Sequence, residues 1–224
     1  MTSIYQTALG SEFNRLHPEI QRRFGFSSKD RIASIGTGTM DRVWHGRFYT
    51  LPFLALGSWR NIMFPVRGVN VPFRIENYAY LDRYGRETVT WIRRFQFPGR
   101  ERRFDATMIY SRKRERIVDY LGTHQHLAVD IDLRVGEDGG LRLRSGAQRF
   151  YEGPVGFNFP MVFSGYADVH EFFDESSHRF RIEVEVKNQV WGKLFGYSGG
   201  FDVEYLEVDV VPEDVRPVRE ERRA

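Results

Sequence analysis

Between residues 69 and 150 apolar side chains fall on every second position, and no other property of the chain limits its fold so tightly. In FRIENYAYL, Phe73, Ile75, Ala79 and Leu81 share one side, while Arg74, Glu76, Tyr78 and Tyr80 share the other. ETVTWIRRF sets Val89, Trp91, Arg93 and Phe95 against Thr90, Ile92 and Arg94, and RRFDATMIYS repeats the pattern with Phe104, Ala106, Met108 and Tyr110. Successive side chains of an extended chain point to opposite faces, so a period of two marks strands with one apolar face. The breaks at RYGRE and PGR are too short for crossovers, and consecutive strands joined this way pair antiparallel.

The stretch GTHQHLAVDIDLRV, residues 122–135, fixes a register. Leu127, Val129, Ile131, Leu133 and Val135 lie on one face, and His124, His126, Ala128, Asp130, Asp132 and Arg134 lie on the other. The next strand, LRLRSGAQRF, alternates Leu141 and Leu143 with Arg142 and Arg144. If Gly136 opposes Gly140, Leu133 meets Leu143, Val135 meets Leu141 and Asp132 meets Arg144. Apolar then faces apolar and charge faces opposite charge. A Glu137-Asp138-Gly139 loop with Gly139 left-handed suits that hairpin. FRIEVEVK and FDVEYLEVDVV supply further strands.

Other segments break this period. Residues 3–24 place Ile4, Ala8, Phe13, Leu16, Ile20 and Phe24 at spacings near three and four, which predicts two short helices. Ser11 can cap the second, Pro18 breaks the run and Gly25 stops it. Residues 47–64 hold Leu51, Phe53, Leu54, Leu56, Trp59, Ile62, Met63 and Phe64, which predicts a short buried helix with Pro52 at its start. GTG at 36–38 lacks the third glycine of a dinucleotide loop and precedes no helix, so Gly36 and Gly38 are read as a bend or bulge. Residues 152–175 and VWGKLFGYSGG are read as irregular loops. PEDVRPVREERRA is too polar to pack and is read as a disordered tail, 212–224. The expectation is one domain over residues 1–211, mainly β (α+β). It is a strongly curved antiparallel sheet or closed β-barrel of about nine strands, with N-terminal helices and one short buried helix.

Composition narrows the functional classes. There is no Cys, so disulfides and thiolate metal sites are excluded. The N-terminus lacks a signal-peptide pattern, and no apolar run approaches the roughly 18 residues of a membrane span. A cytoplasmic protein fits. Residues 93–116 carry nine basic side chains against three acidic ones, which reads as a solvated hairpin face. No nucleic-acid-binding signature accompanies it. FSGY at 163–166 has one flanking glycine and is not a nucleophile elbow.

Aromatic residues make up 15% of the chain, enough to line an apolar barrel cavity. The loop aromatics Phe150, Tyr151, Phe157, Phe159, Trp191, Phe195 and Tyr197 are placed to gate its mouth. Arg94, Arg103 and Arg149 are placed to anchor an acidic head group. His124 and His126 share a strand face. That geometry offers two zinc ligands, but none of His17, His45, His170 or His178 has informative spacing as a third. The expected function is non-catalytic binding of a small hydrophobic or amphipathic ligand without a cofactor. The candidate residues are His124, His126, Arg94, Arg149, Tyr151, Phe157, Trp191 and Tyr197. The alternative is a metal- or His-dependent enzyme built on His124 and His126.

YQTALGSEFNRLHPEIQRRFG, GTGTMDRVWHG, RFDATMIYS, LRLRSGAQRFYEG and WGKLFGYSGGFDVEY together resemble a bacterial family, the domain of unknown function 4166, over about residues 4–208. None of these motifs is catalytic. Similar domains occur fused to saccharopine-dehydrogenase-like reductases, so the resemblance implies an accessory or interaction role beside a nucleotide-dependent oxidoreductase. No segment of the 224 residues corresponds to that reductase module.

Overall fold

The alternating segments are all strands in the computed structural model, which describes residues 2–223 without the side chains at positions 52, 53, 56, 57 and 163. The readings placed on Pro52, Phe53 and Leu56 lie outside that description. Fourteen helices and strands follow one another. Helices α1 (Ile4–Leu9) and α2 (Pro18–Gly25) precede β1 (Ile32–His45), and α3 (Leu51–Ser58) separates it from β2 (Gly68–Leu81). Then come β3 (Glu87–Phe97), β4 (Arg100–Ser111), β5 (Arg116–Leu121), β6 (Leu127–Val135), β7 (Leu141–Glu152) and the short β8 (Val155–Asn158). The last are β9 (Tyr166–Asp174), β10 (Arg179–Asn188) and β11 (Gly192–Glu207).

Strands β1 to β7 pair in sequence, β7 passes to β9, and β9, β10 and β11 lead back to β1. Ten antiparallel strands therefore close into a barrel, and β8 adds a flap on β7. The expected register holds, with Asp132 opposite Arg144, Leu133 opposite Leu143 and Val135 opposite Leu141. Gly139 has φ of 71° as the loop requires.

Two stretches read as loops are strands. In β9, Ala167, Val169, Glu171 and Phe173 alternate toward the inside, but Glu171 interrupts the apolar pattern and hides the period. In β11 the glycines mark close approach. A Cβ on Gly196 would run into the Trp44 ring and the Val184 carbonyl. The bulge of β1 lies between Met40 and Arg42, rather than at Gly36 or Gly38. A Cβ on Gly36 would lie 2.6 Å from both Ile75 and Phe201, so this glycine makes room for lumen side chains.

The N-terminal helices close one end of the barrel. Ser3 caps α1 through a reciprocal pair with Gln6, at 3.1 and 3.0 Å. Residues 10–15 form a 3-10 turn, where a helix capped by Ser11 was expected. The helical side chains reach far into the lumen. Tyr5 packs edge-on to Phe24 at 4.9 Å, and Phe24 lies 5.9 Å from Trp91 in the middle of β3. Ile4, Phe13, Leu16, Ile20 and Phe24 are all buried, and each contributes roughly 1.5–3 kcal/mol. Arg23 on α2 is fully buried in an ion pair with Glu171 and donates to Ser34 Oγ at 2.6 Å. Above them Phe73, Phe95 and Tyr197 continue the packing, with ring centroids 5.0 Å apart for Phe73–Phe95 and Phe95–Tyr197.

The C-terminal stretch expected to be disordered lies along the barrel wall. Val208 N donates to the Arg31 carbonyl at 2.7 Å, and Val215 is buried beside Tyr80 and Ile92. Glu221 is buried, receives Arg219 and Arg223, and donates its backbone N–H to Gln125 at 2.6 Å. Its polarity is satisfied by local pairing, which composition alone does not reveal. No helix among the described residues is long and apolar enough to cross a membrane.

Candidate functional site

The end of the barrel away from α1 and α2 holds a cavity of about 400 Å³. Its wall is largely apolar, from Leu54, Ile62, Met63, Leu121, Leu127 and Leu194, with Phe150, Phe159 and Trp191 beside them. The polar groups in that wall include Arg60, His124, His126, Glu152 and Asn188. The ligand space expected inside the barrel is thus confined to its mouth, because the helices and aromatic rings fill the rest of the lumen.

Three segments build this mouth. The first is α3 with residues 59–64, which roofs it. Leu54 of α3 is buried as expected, whereas Trp59, just past the helix, is 78% exposed, so the roof is open at that edge. Its backbone is tied to the strand ends, since Asp105 N donates to the Asn61 carbonyl at 2.8 Å and Thr123 N donates to the Arg60 carbonyl at 3.2 Å.

The second is the loop 122–126. Gly122 has φ of 73° and Gln125 φ of 52°, so the chain turns before β6 begins at Leu127. The two histidines therefore sit in a loop, where a strand face was expected, and both line the cavity. Their rings stack with centroids 5.8 Å apart. His126 Nδ1 lies 3.0 Å from the Tyr151 carbonyl, 2.9 Å from the Glu152 carboxylate and 3.1 Å from the Arg219 guanidinium. Arg219 donates to the same carbonyl at 3.2 Å, so the C-terminal stretch helps hold this edge. His124 Nδ1 lies 3.0 Å from Thr123 Oγ1. Burial first, then the charges of Arg60 and His126, hold His124 below the usual imidazole value.

The third segment is 159–165 with the β10–β11 turn. Asn188 ties them together. Its side-chain amide donates to the carbonyls of Met161 and Val162 at 3.2 and 3.0 Å, while its Oδ1 accepts from Val190 and Trp191 at 2.8 and 3.0 Å. Trp191 packs 5.6 Å from Tyr49 at the rim.

Of the candidates taken from the sequence, His124, His126 and Trp191 come together here. Phe157 is half-exposed on β8, 5.4 Å from Phe150, and borders the mouth. The others point elsewhere. Arg94 faces outward and pairs with Glu101 at 3.1 Å and Asp214 at 3.3 Å. Arg149 clamps Asp130 with two bonds of 2.7 and 3.0 Å, and Tyr151 packs on the outer wall under the Arg223 guanidinium. Tyr197 is buried in the packed lumen and accepts from Arg93 at 3.3 Å. Alternation assigned the faces correctly for these strands but could not say which face lines a cavity.

Sequence reasoning missed Arg60, Asn188 and the aliphatic wall. Arg60 left one signal, as the single charge inside the apolar run 51–64. His17, His170 and His178 lie at the closed end, with His17 and His170 paired to Glu175 and Asp138 at 2.9 Å. Among the described residues no three His, Asp or Glu side chains converge as a metal cluster.

Residues 16–201 match the family described as "Domain of unknown function (DUF4166)". The uncharacterized protein YndH of Bacillus subtilis (strain 168) is 35% identical over 207 residues, covering 92% of this chain and 100% of YndH. No solved structure matches the chain. The matched span runs from the closing helix α2 through the loops of the mouth into β11, and over that extent the chain belongs to the DUF4166 family.

Proposed function

We propose that this protein binds a small hydrophobic or amphipathic molecule in the mouth of its barrel. The observation that carries the reading is the cavity of about 400 Å³, walled by aliphatic and aromatic side chains and holding a few convergent polar groups. Pockets for organic ligands share that size and chemistry. An apolar surface left open at one end of a barrel whose lumen is otherwise packed favours this reading. The rim supports the same reading, because Phe48, Trp59, Val190 and Trp191 all remain exposed around the opening.

Titration with the neutral apolar fluorophore phenylnaphthylamine tests this. The expected result is saturable binding at one site per chain. Leu127→Trp, which fills the cavity from its wall, abolishes binding while the melting temperature stays close to wild type. Absence of saturable binding, or equal binding by the filled variant, contradicts the reading.

A further inference from the structure

One cation in the wall of the mouth cavity, Arg60, has no ion-pair partner among the described residues. Its Nη1 is buried and has no hydrogen-bond partner. A buried guanidinium nitrogen without an acceptor is costly, and native structures rarely tolerate one without a reason.

The neighbouring charged groups are engaged elsewhere and do not pair with Arg60. Glu152 is the carboxylate in the cavity wall, and it is engaged by His126 at 2.9 Å. Arg219, on the far side of His126, is paired with Glu221 at 2.6 Å. The indole of Trp59 flanks the Arg60 guanidinium, with 5.3 Å from Cζ to the ring, and offers a π face without a formal charge. Arg60 is the cation of an otherwise largely apolar wall, and it has no ion-pair partner there. His124 stands in the same wall, its basicity lowered first by burial and then by the nearby Arg60 charge.

We propose that the occupant of this cavity is an apolar molecule with a single carboxylate head, and that Arg60 receives the head. This rests on the reading of the mouth as a ligand site. A carboxylate supplies the acceptor that the Arg60 guanidinium lacks, and the planar fork of the guanidinium matches it with two parallel bonds. His124 is the second donor available when the head lowers the local potential. The aliphatic wall takes the tail.

The test uses the full chain and three probes of equal tail length: decanoate, decanol and methyl decanoate. Trp59 and Trp191 fluorescence reports occupancy, since both indoles line the cavity. Wild type is expected to bind decanoate about tenfold or more tighter than the alcohol or ester. Arg60→Gln brings the acid to the level of the ester and leaves the ester unchanged, and Arg60→Lys restores part of the preference. Arg60 is tied into the fold through its backbone carbonyl, and equal melting temperatures verify that the variants are folded. Equal affinity of acid and ester for wild type, or an acid preference that survives in Arg60→Gln, overturns the carboxylate head but leaves the apolar site standing. Binding of none of the three overturns the site and the head together.

Discussion

Asp119 shows most plainly how one residue can oppose the fold that holds it. It follows Ile117 on the inner face of β5 and is buried, and its Oδ1 has no hydrogen-bond partner. Burial pushes its carboxyl up to about 7, against the attraction of Arg93. The unfolded chain loses this proton near 3.8, so between those values the native state holds more protons and stability falls as pH rises. Above about pH 7 the whole penalty is present, on the order of 4 kcal/mol. Asp119→Asn is therefore expected to unfold at higher guanidinium than wild type at about pH 8, with the gap closing by about pH 4. A gap that does not change with pH would show that Asp119 is charged throughout. The sequence displayed Asp119 and Glu171 clearly enough. It gave no sign that they face inward, because a lone carboxylate in a strand ordinarily marks the wet side.

The α2 helix and β9 explain one another. Helix α2 was legible from its spacing and from Pro18, whereas β9 was not, because its inward Glu171 breaks the alternation. The partner that makes Glu171 tolerable, Arg23, lies 148 positions away in sequence. Long-range pairing of this kind cannot be read from a local window. Removing only Arg23 leaves a buried carboxylate alone, so Arg23→Met should cost about 3–5 kcal/mol in denaturant unfolding. The double variant Arg23→Met, Glu171→Leu should recover most of that loss, because an apolar pair of similar volume replaces the ions. If the double variant is less stable than the single one, the ion pair contributes net stability and this account of α2 docking fails. Strands β2, β3, β6, β7 and β10 were legible because their inward positions are mostly apolar or small, with Asn77, Arg93, Gln148 and Asn188 as exceptions. The glycine-rich start of β11 was hidden because glycine signals a turn more often than a close approach.

The whole molecule divides into a closed end and an open end. Alternation, hairpin lengths and the helical N-terminus made a closed barrel legible, but not the division. The sequence contains no local mark that α1 and α2 plug the lumen, since their apolar faces look like those of any packed helix. Nor does it show that the apolar run 51–64 roofs a cavity with Arg60 inside it. The site depends on which loops meet at the same end of the barrel, and that follows only once all ten strands have closed. The central claim is that ligand enters the open end and leaves the packed lumen undisturbed. Backbone amide NMR of the assigned protein, recorded with and without saturating decanoate, tests it most directly. The account predicts shift changes confined to segments 49–63, 121–127, 150–165 and 188–194, which line the mouth. Shift changes centred on Tyr5, Phe24 and Trp91, or none anywhere, would contradict it.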